Sequence, residues 1–581
     1  MKVRLWRYLF IASLLWIAAL VQRGAALAVD EIEFFRATKW VGEGLVPFRD
    51  FWEHHLPLQW IVFGPVATLF GNGPGTEAVV AMRWAQLVVW VGIFVLLVRI
   101  TRRTGLDPWP AMVLLLVSSS FVRKAIEYRV DVPGNLAYLG GVALIAFGAG
   151  TTRWIGFGAL MSAAVLTNMR LAPLVVITAL LALFWRAEER RWRWNGRALW
   201  MIGGTLPVAG AFVGWLFATG AWPAFVEGVF GYNSLSARLL EVDTFFDALL
   251  VPLWTLDVAG IAFWIAGIAG AVLALRTIRE PGPVQFVALL LVASVVTIAL
   301  MEVQYDYHFQ NVYLLMLPLV AFVLGRIRIV PMLVAAGALC IAVIQTLPSF
   351  GEAMEYQDAV MTSADRLTSP DETVFDGAGY ALGRKPAYRY WFLTTGVRFL
   401  AVQGLIEPYR MTPPPAAIIY DYRLALYMRE FPRVAEYATK HYLPVYRNLW
   451  VPGMAVIATA DRRPPTARLT WIAPRAGTYD VWASESLLTH PWLTTPLDYA
   501  AVEGPLATRY VIPLAQLPPS PPEALQWTID GVPQPKGTRA LTLKAGSRVE
   551  LVSTLPSRTG VLLVPRGIGK LCIATAEERV F

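Results

Sequence analysis

The chain has 581 residues, 56% of them apolar and 16% charged, with a mean hydropathy of +0.51. Soluble domains run nearer about 45–50% apolar and about 25% charged, so an ordinary soluble enzyme is excluded. The 23 Trp, 28 Phe and 21 Tyr exclude a disordered chain, and two cysteines, Cys340 and Cys572, exclude a disulfide scaffold. The net charge of +9 is arginine-rich; in so apolar a chain it marks loop ends at a membrane, and no nucleic-acid partner is expected.

The apolarity is confined to residues 1–347, which read as about eleven spans of roughly 15–22 residues. Their centres fall near Leu15, Val91, Leu114, Leu144, Leu160, Ile177, Val208, Trp264, Leu291, Leu315 and Leu333. The fold class expected is an α-helical polytopic membrane protein with a soluble C-terminal region. Lys2, Arg4 and Arg7 place the N-terminus in the cytoplasm. Alternate loops are then mostly basic, with Arg102–Arg103, Arg153, Arg186 to Arg197, Arg276 and Arg279, and Arg326 and Arg328. An odd span count puts the C-terminal region outside the plasma (inner) membrane. The first span also admits a secretory-signal reading, with a cleavage site at residues 26–28.

The first outer loop, Val29 to Arg83, gathers the acidic chemistry: Asp30, Glu31, Glu33, Asp50 and Glu53, followed by His54 and His55. EIEFFRATKWVGEG reads as an amphipathic helix with Asp30 as its N-cap and Gly42 and Gly44 ending it. Phe51, Trp52, Leu56, Leu58 and Trp60 suggest a segment lying in the membrane interface. A carboxylate at a span end is costly unless solvated or paired, so these acids are functional candidates. Capping alone also accounts for Asp30 and Glu31.

Taken together, the first span, the Asp30-Glu31 pair, the aromatic helix and the run VPFRDFWEHHLPL resemble the GT-C superfamily of integral-membrane glycosyltransferases. The similarity is greatest to the protein O-mannosyltransferase and aminoarabinose transferase families. That resemblance implies a GT-C-like domain over residues 1–347. It implies inverting transfer of a sugar from a polyprenyl-phosphate donor to an acceptor hydroxyl on the outer face. The acceptor class stays open between glycan, lipid and protein, as in cell-envelope glycosylation, and membrane lipid is a further partner. By the same resemblance Asp30 matches the catalytic base and Glu31 the second acid of the pair. Glu53 falls where the aminoarabinose transferases have Glu-Lys-Pro, here Glu53-His54-His55-Leu56-Pro57. The lysine is absent, as is an arginine three residues after Asp30, where Glu33 stands and Arg36 is a substitute. The chemistry suits these residues, because a hydroxyl needs a carboxylate to take its proton as it attacks.

Later loops add donor-binding candidates for phosphate or sugar. Besides Glu53, His54 and His55 these are Arg129 and Asp131 in YRVDVPGN, Arg170 in TNMRLAP, and His308 in QYDYHFQN, with Tyr305 and Asp306 secondary. Glu53, His54 and His308 form a possible set of divalent-metal ligands, the one cofactor considered. The loop from Trp222 to Val251, with Tyr232, Asn233 and Arg238, is long enough to fold over a cavity.

Residues 348–462 read as an α/β subdomain, with VFDG and AAIIYDY as strands and LALYMREFPRVAEYATKHY as a helix. Residues 463–581 read as a small β-sandwich from RLTWIAP, GTYDVWAS, ALQWTIDG, ALTLKAG and SRVELVS. Alternatives to a glycosyltransferase are a transporter or lipid-linked-sugar flippase, and a non-catalytic glycan-binding relative. Paired repeats with broken mid-bilayer spans would favour a transporter.

Overall fold

The computed structural model describes residues 2–147, 150–186, 191–239, 257–279, 282–301, 305–325, 330–346, 351–446, 448–458, 469–484, 525–551 and 559–566. The chain divides into two compact units, Met1–Glu355 and Tyr356–Phe581. Cys572 lies outside the described residues, as does the end of the expected Trp222–Val251 loop.

The first unit is helical, and a helix stands at each of the eleven expected centres. Among the described residues, four helices are long and apolar enough to cross a membrane alone: Thr76–Arg103, Ala198–Ala218, Val258–Leu275 and Tyr307–Leu324. Trp6–Gly24 and Val29–Gly42, bent by 79° at a short break, make a fifth if they count as one span. Others fall short of the roughly 20 residues that a straight span needs. Asp131–Phe147 and Pro283–Ala299 have 17 residues each. About eleven spans is therefore more than length and composition alone support. The helix expected near Leu114 is broken: Trp109–Val117 ends where Ser118 turns extended (ψ 113), and Ser119–Ala125 resumes. At the break the freed Ser119 N–H donates to Asp257 Oδ2 (2.6 Å), and Ser120 is bonded to the Ser118 (3.0 Å) and Tyr313 (2.8 Å) hydroxyls.

Burial sorts these helices. Tyr307–Leu324 is 89% buried and lies at the centre, against Val258–Leu275 and Pro283–Ala299. Ala198–Ala218 is 17% buried and leaves Leu199, Leu206 and Phe217 exposed, as a lipid-facing helix would.

The first loop is folded into this unit. Val29–Gly42 packs on Leu58–Phe70, and at their crossing Gly42 and Gly64 touch backbone to backbone, where a methyl on Gly42 would overlap the Gly64 carbonyl. Phe51, Trp52, Leu56 and Trp60, expected in the interface, are buried in protein instead. The N-cap is Ala28, not Asp30, which stands in the first turn. Glu31 serves that helix end, its Oε2 accepting from the Ala28 N–H at 2.9 Å.

In the second unit, a five-stranded sheet sets Thr373–Asp376 parallel to both Lys385–Pro386 and Ala417–Ile419, with Tyr442–Tyr446 and Leu449–Pro452 antiparallel at the other side. The expected single helix after Ala417–Ile419 is two, Tyr422–Glu430 and Pro432–His441. Pro432 cannot continue the first, and Phe431 leaves helical geometry (ψ 76). All five expected β segments form strands, in two four-stranded antiparallel sheets. Trp471, Trp527, Tyr479 and Leu563 fill the core between them. Met454–Ala458 pairs with Thr559–Pro565, so the sandwich begins ahead of the expected boundary at 463.

Candidate active site

The Asp30 carboxylate leaves the helix end and turns to Arg129. Its Oδ2 lies 3.2 Å from Arg129 Nη1, with 28% of the Asp30 side chain exposed against 2% for Arg129. The guanidinium also meets Glu127 through Nη1 (3.1 Å) and Asp131 through Nε (3.1 Å), and stacks 3.7 Å over the Tyr307 ring. Burial works against the Arg129 charge, but Asp30, Asp131 and Glu127 more than offset it and hold it firmly protonated. The substitute named for the missing arginine, Arg36, is instead buried with its guanidinium over the Trp40 ring at 4.8 Å.

Glu31 is the helix neighbour of Asp30 but has a different environment. It is fully buried and takes a two-pronged bond from Arg83, 2.7 Å from Nε and 2.6 Å from Nη2. Its Oε1 also accepts from the Tyr128 N–H at 2.8 Å. Arg83 reaches on to the Ala25 and Ala26 carbonyls, both at 2.9 Å, and so ties down the strand entering the helix. Gln86, one turn along from Arg83, accepts from the Arg129 N–H at 2.8 Å. Two buried arginines therefore fix the two acids of the pair, Arg83 from the helix Thr76–Arg103 and Arg129 from the loop ahead of Asp131–Phe147.

Beyond Asp131 lies a small polar cavity of about 20 Å³. Asp131, Asn168, Arg170, Thr297, Tyr307 and His308 are among its lining residues. Asn168 leaves helical geometry at the end of Thr152–Thr167 (ψ 101), and its Nδ2 donates to Asp131 Oδ1 at 2.8 Å. Arg170 Nη1 donates to the Tyr307 hydroxyl at 3.3 Å. His308 is buried against Tyr307, with ring centroids 4.5 Å apart. Tyr305, the secondary candidate, is 42% exposed and donates its N–H to His308 Nδ1 at 3.2 Å. The side chain of Asp306 lies outside the described set.

Glu53, His54 and His55 form a second cluster with Glu33. One ligand atom from each lies within 4.8 Å of the others. Glu53 Oε1 accepts from the His54 N–H (2.8 Å), the His55 N–H (3.1 Å) and His55 Nδ1 (2.9 Å). His308, the third member of the expected set of metal ligands, does not belong to this group. Tyr232 closes over it, edge-on to both Trp52 and His54, and Asn233 Nδ2 donates to the His54 carbonyl at 3.0 Å. The described part of the long loop thus packs against His54. Gly228 permits this, because a methyl there would collide with the Glu53 carbonyl.

Arg83, Glu127, Asn168 and Tyr307 were not among the sequence candidates, and Glu33 was named only as one of the first-loop acids, not as a metal ligand. Arg83 carried a signal, being a cation inside the apolar run that became Thr76–Arg103.

No family model and no curated protein matches the sequence. Among solved structures the chain is similar to ArnT from Cupriavidus metallidurans, in one crystal structure bound to undecaprenyl phosphate and in another in the apo state. The first has 16% identity and a TM-score of 0.45, covering 75% of this chain and 74% of its own. The second has 16% identity and a TM-score of 0.42, covering 75% of each.

Proposed function

We propose that the protein is an inverting glycosyltransferase of the inner membrane. It would move a sugar from a polyprenyl-phosphate donor to an acceptor hydroxyl on the outer face, with Asp30 as general base. The observation that carries this is the Asp30 carboxylate, part open to solvent, held by a buried arginine whose other partner, Asp131, lines a polar cavity.

An attacking hydroxyl must lose its proton as the new bond forms, and a positioned carboxylate takes it. A single displacement needs one base, inverts the anomeric centre and leaves no covalent intermediate. Arg129 divides its guanidinium among three carboxylates, so the charge that develops on the leaving phosphate falls to Arg170. Glu31, sealed against Arg83, acts as a positioning residue that fixes the helix end carrying Asp30.

Two imidazoles and two carboxylates are an ordinary donor set for a divalent cation such as Zn²⁺ or Mn²⁺. Glu33, Glu53, His54 and His55 would hold it. Bound there, the ion would supply positive charge for a phosphate.

Full-length protein in lipid nanodiscs, given a polyprenyl-phosphate sugar, should release polyprenyl phosphate by transfer or slow hydrolysis. The absence of both binding and release across a panel of such donors would overturn the proposal.

A further inference from the structure

The helix Thr395–Val402 of the second unit is apolar on two faces. Val397, Leu400 and Ala401 are buried and fix it to the unit. Phe399 and Val402, three residues apart, lie on the other face and are 37% and 49% exposed. A surface helix ordinarily turns charged and polar residues outward, and one that is apolar all round is covered by something. The chain after it extends the same surface. The Gly404 N–H donates to the Ala401 carbonyl (3.1 Å) and the Leu405 N–H to that of Leu400 (2.9 Å), with Gly404 in the left-handed region (φ 70). At such a helix end the residue after the glycine commonly packs back on the last turn. Leu405 is instead 55% exposed.

Arginines gather around these three side chains. Arg398 is paired with Glu430 at 2.6 Å. Burial lowers the proton affinity of its guanidinium, Glu430 opposes that, and Arg423 and Arg429 add repulsion. Arg423 stacks on the Phe392 ring (4.1 Å) and donates Nε to the hydroxyl of Tyr422 (3.0 Å), itself 43% exposed. Arg410 is exposed in the loop after the helix. Arg389 is exposed next to Tyr388, whose hydroxyl donates to the Glu407 carbonyl of that loop at 2.6 Å. With Arg398 and Glu430 paired off, Arg389, Arg410, Arg423 and Arg429 stand beside Glu407, and the surroundings of the apolar side chains are cationic.

Apolar side chains bordered by arginines and a tyrosine match the boundary of an anionic bilayer. Phe and Leu enter the acyl region there, and guanidinium groups meet lipid phosphates. A bilayer is within reach, because the first unit carries membrane-length helices and the chain runs directly from it into this unit at Tyr356. Attachment through the chain raises the effective concentration of that surface, so three side chains suffice where a free protein would need more.

We propose that the Thr395–Val402 helix and the turn after it dock on an anionic lipid surface. Phe399, Val402 and Leu405 enter the lipid, and Arg389 and Arg410 meet its phosphates. The inference does not depend on the glycosyltransferase reading.

The test uses full-length protein with Cys340→Ser and Cys572→Ser, labelled with an environment-sensitive fluorophore at Val402→Cys or, in a second preparation, at Leu405→Cys. In nanodiscs containing phosphatidylglycerol, the emission at both sites should shift to the blue. It should also be quenched by lipid that carries a doxyl group high on its acyl chain. In phosphatidylcholine alone the quenching should fall, because the arginines lose their anionic partner. Water-like emission at both sites overturns the proposal. A blue shift that the lipid quencher leaves untouched overturns it as well, because protein, a second copy or another partner, then covers the helix. Equal quenching in the two lipids overturns the part given to the arginines. Both label sites are exposed, so neither substitution disturbs packed side chains.

Discussion

Asp30 Oδ2 and Arg129 Nη1 lie 3.2 Å apart although 99 residues separate them in the chain. Arg129 is the buried partner, and its loss would strand Glu127 and Asp131 together away from water. Burial already pushes the Glu127 carboxyl up, against the pull of Arg129. Arg129→Ala should therefore destabilise the protein by about 3–5 kcal/mol. Arg129→Lys keeps the charge but cannot meet three carboxylates at once, and should retain the fold while losing activity. Thermal unfolding in detergent, beside donor turnover, checks both. Unaltered stability in Arg129→Ala would contradict the network.

The Glu31–Arg83 pair is sealed, with both side chains at 0% exposure. Breaking it from one side should cost about 3–5 kcal/mol, whereas replacing both partners with apolar residues should recover much of that. Glu31→Met, Arg83→Met and the double variant form a cycle whose unfolding midpoints test this. A double variant no more stable than either single one would contradict the pairing.

The Glu33, Glu53, His54 and His55 cluster should bind one divalent ion per chain, measured as metal content after dialysis against Zn²⁺ or Mn²⁺. His54→Ala with Glu53→Gln should lower that content to background. Equal content in the variant would show that any metal binds elsewhere.

In the second unit, burial pushes the Asp421 carboxyl up from 3.8 to about 6, despite N–H donors from Gly377, Ala378, Arg423 and Leu424. A raised carboxyl binds its proton more tightly in the folded state. Its contribution is complete below the unfolded value of 3.8 and is lost as pH rises to about 6. Hydrogen exchange at the Gly377, Ala378 and Leu424 amides, corrected for intrinsic rate, should speed up across that window. Asp421→Asn should remove the pH dependence and lower protection throughout, because its amide hydrogens would face N–H donors. Protection that increases with pH would contradict the sign.

Periodicity and turn residues made the local elements legible. A helix stands at every expected centre, and each of the five alternating segments after residue 463 forms a strand. Arg129 and Asp131, two residues apart, could be paired by inspection. The partners of Asp30 and Glu31 could not, because Arg129 and Arg83 are 99 and 52 residues away and nothing local encodes a contact at that range. The same limit misassigned the cap: Asp30 is a good N-cap residue, but Ala28 holds that position while Asp30 pairs with Arg129. Helix length was misleading where a helix breaks and resumes, as at Ser118 in the first unit and before Pro432 in the second.

The central claim is that Asp30 takes the acceptor proton. Asp30→Asn removes the base but keeps the shape, and the side chain it alters is part exposed. Release of polyprenyl phosphate by full-length Asp30→Asn in nanodiscs should fall by about 10²–10⁴-fold, with the unfolding temperature and donor binding retained. Turnover equal to that of the unsubstituted protein would contradict the mechanism.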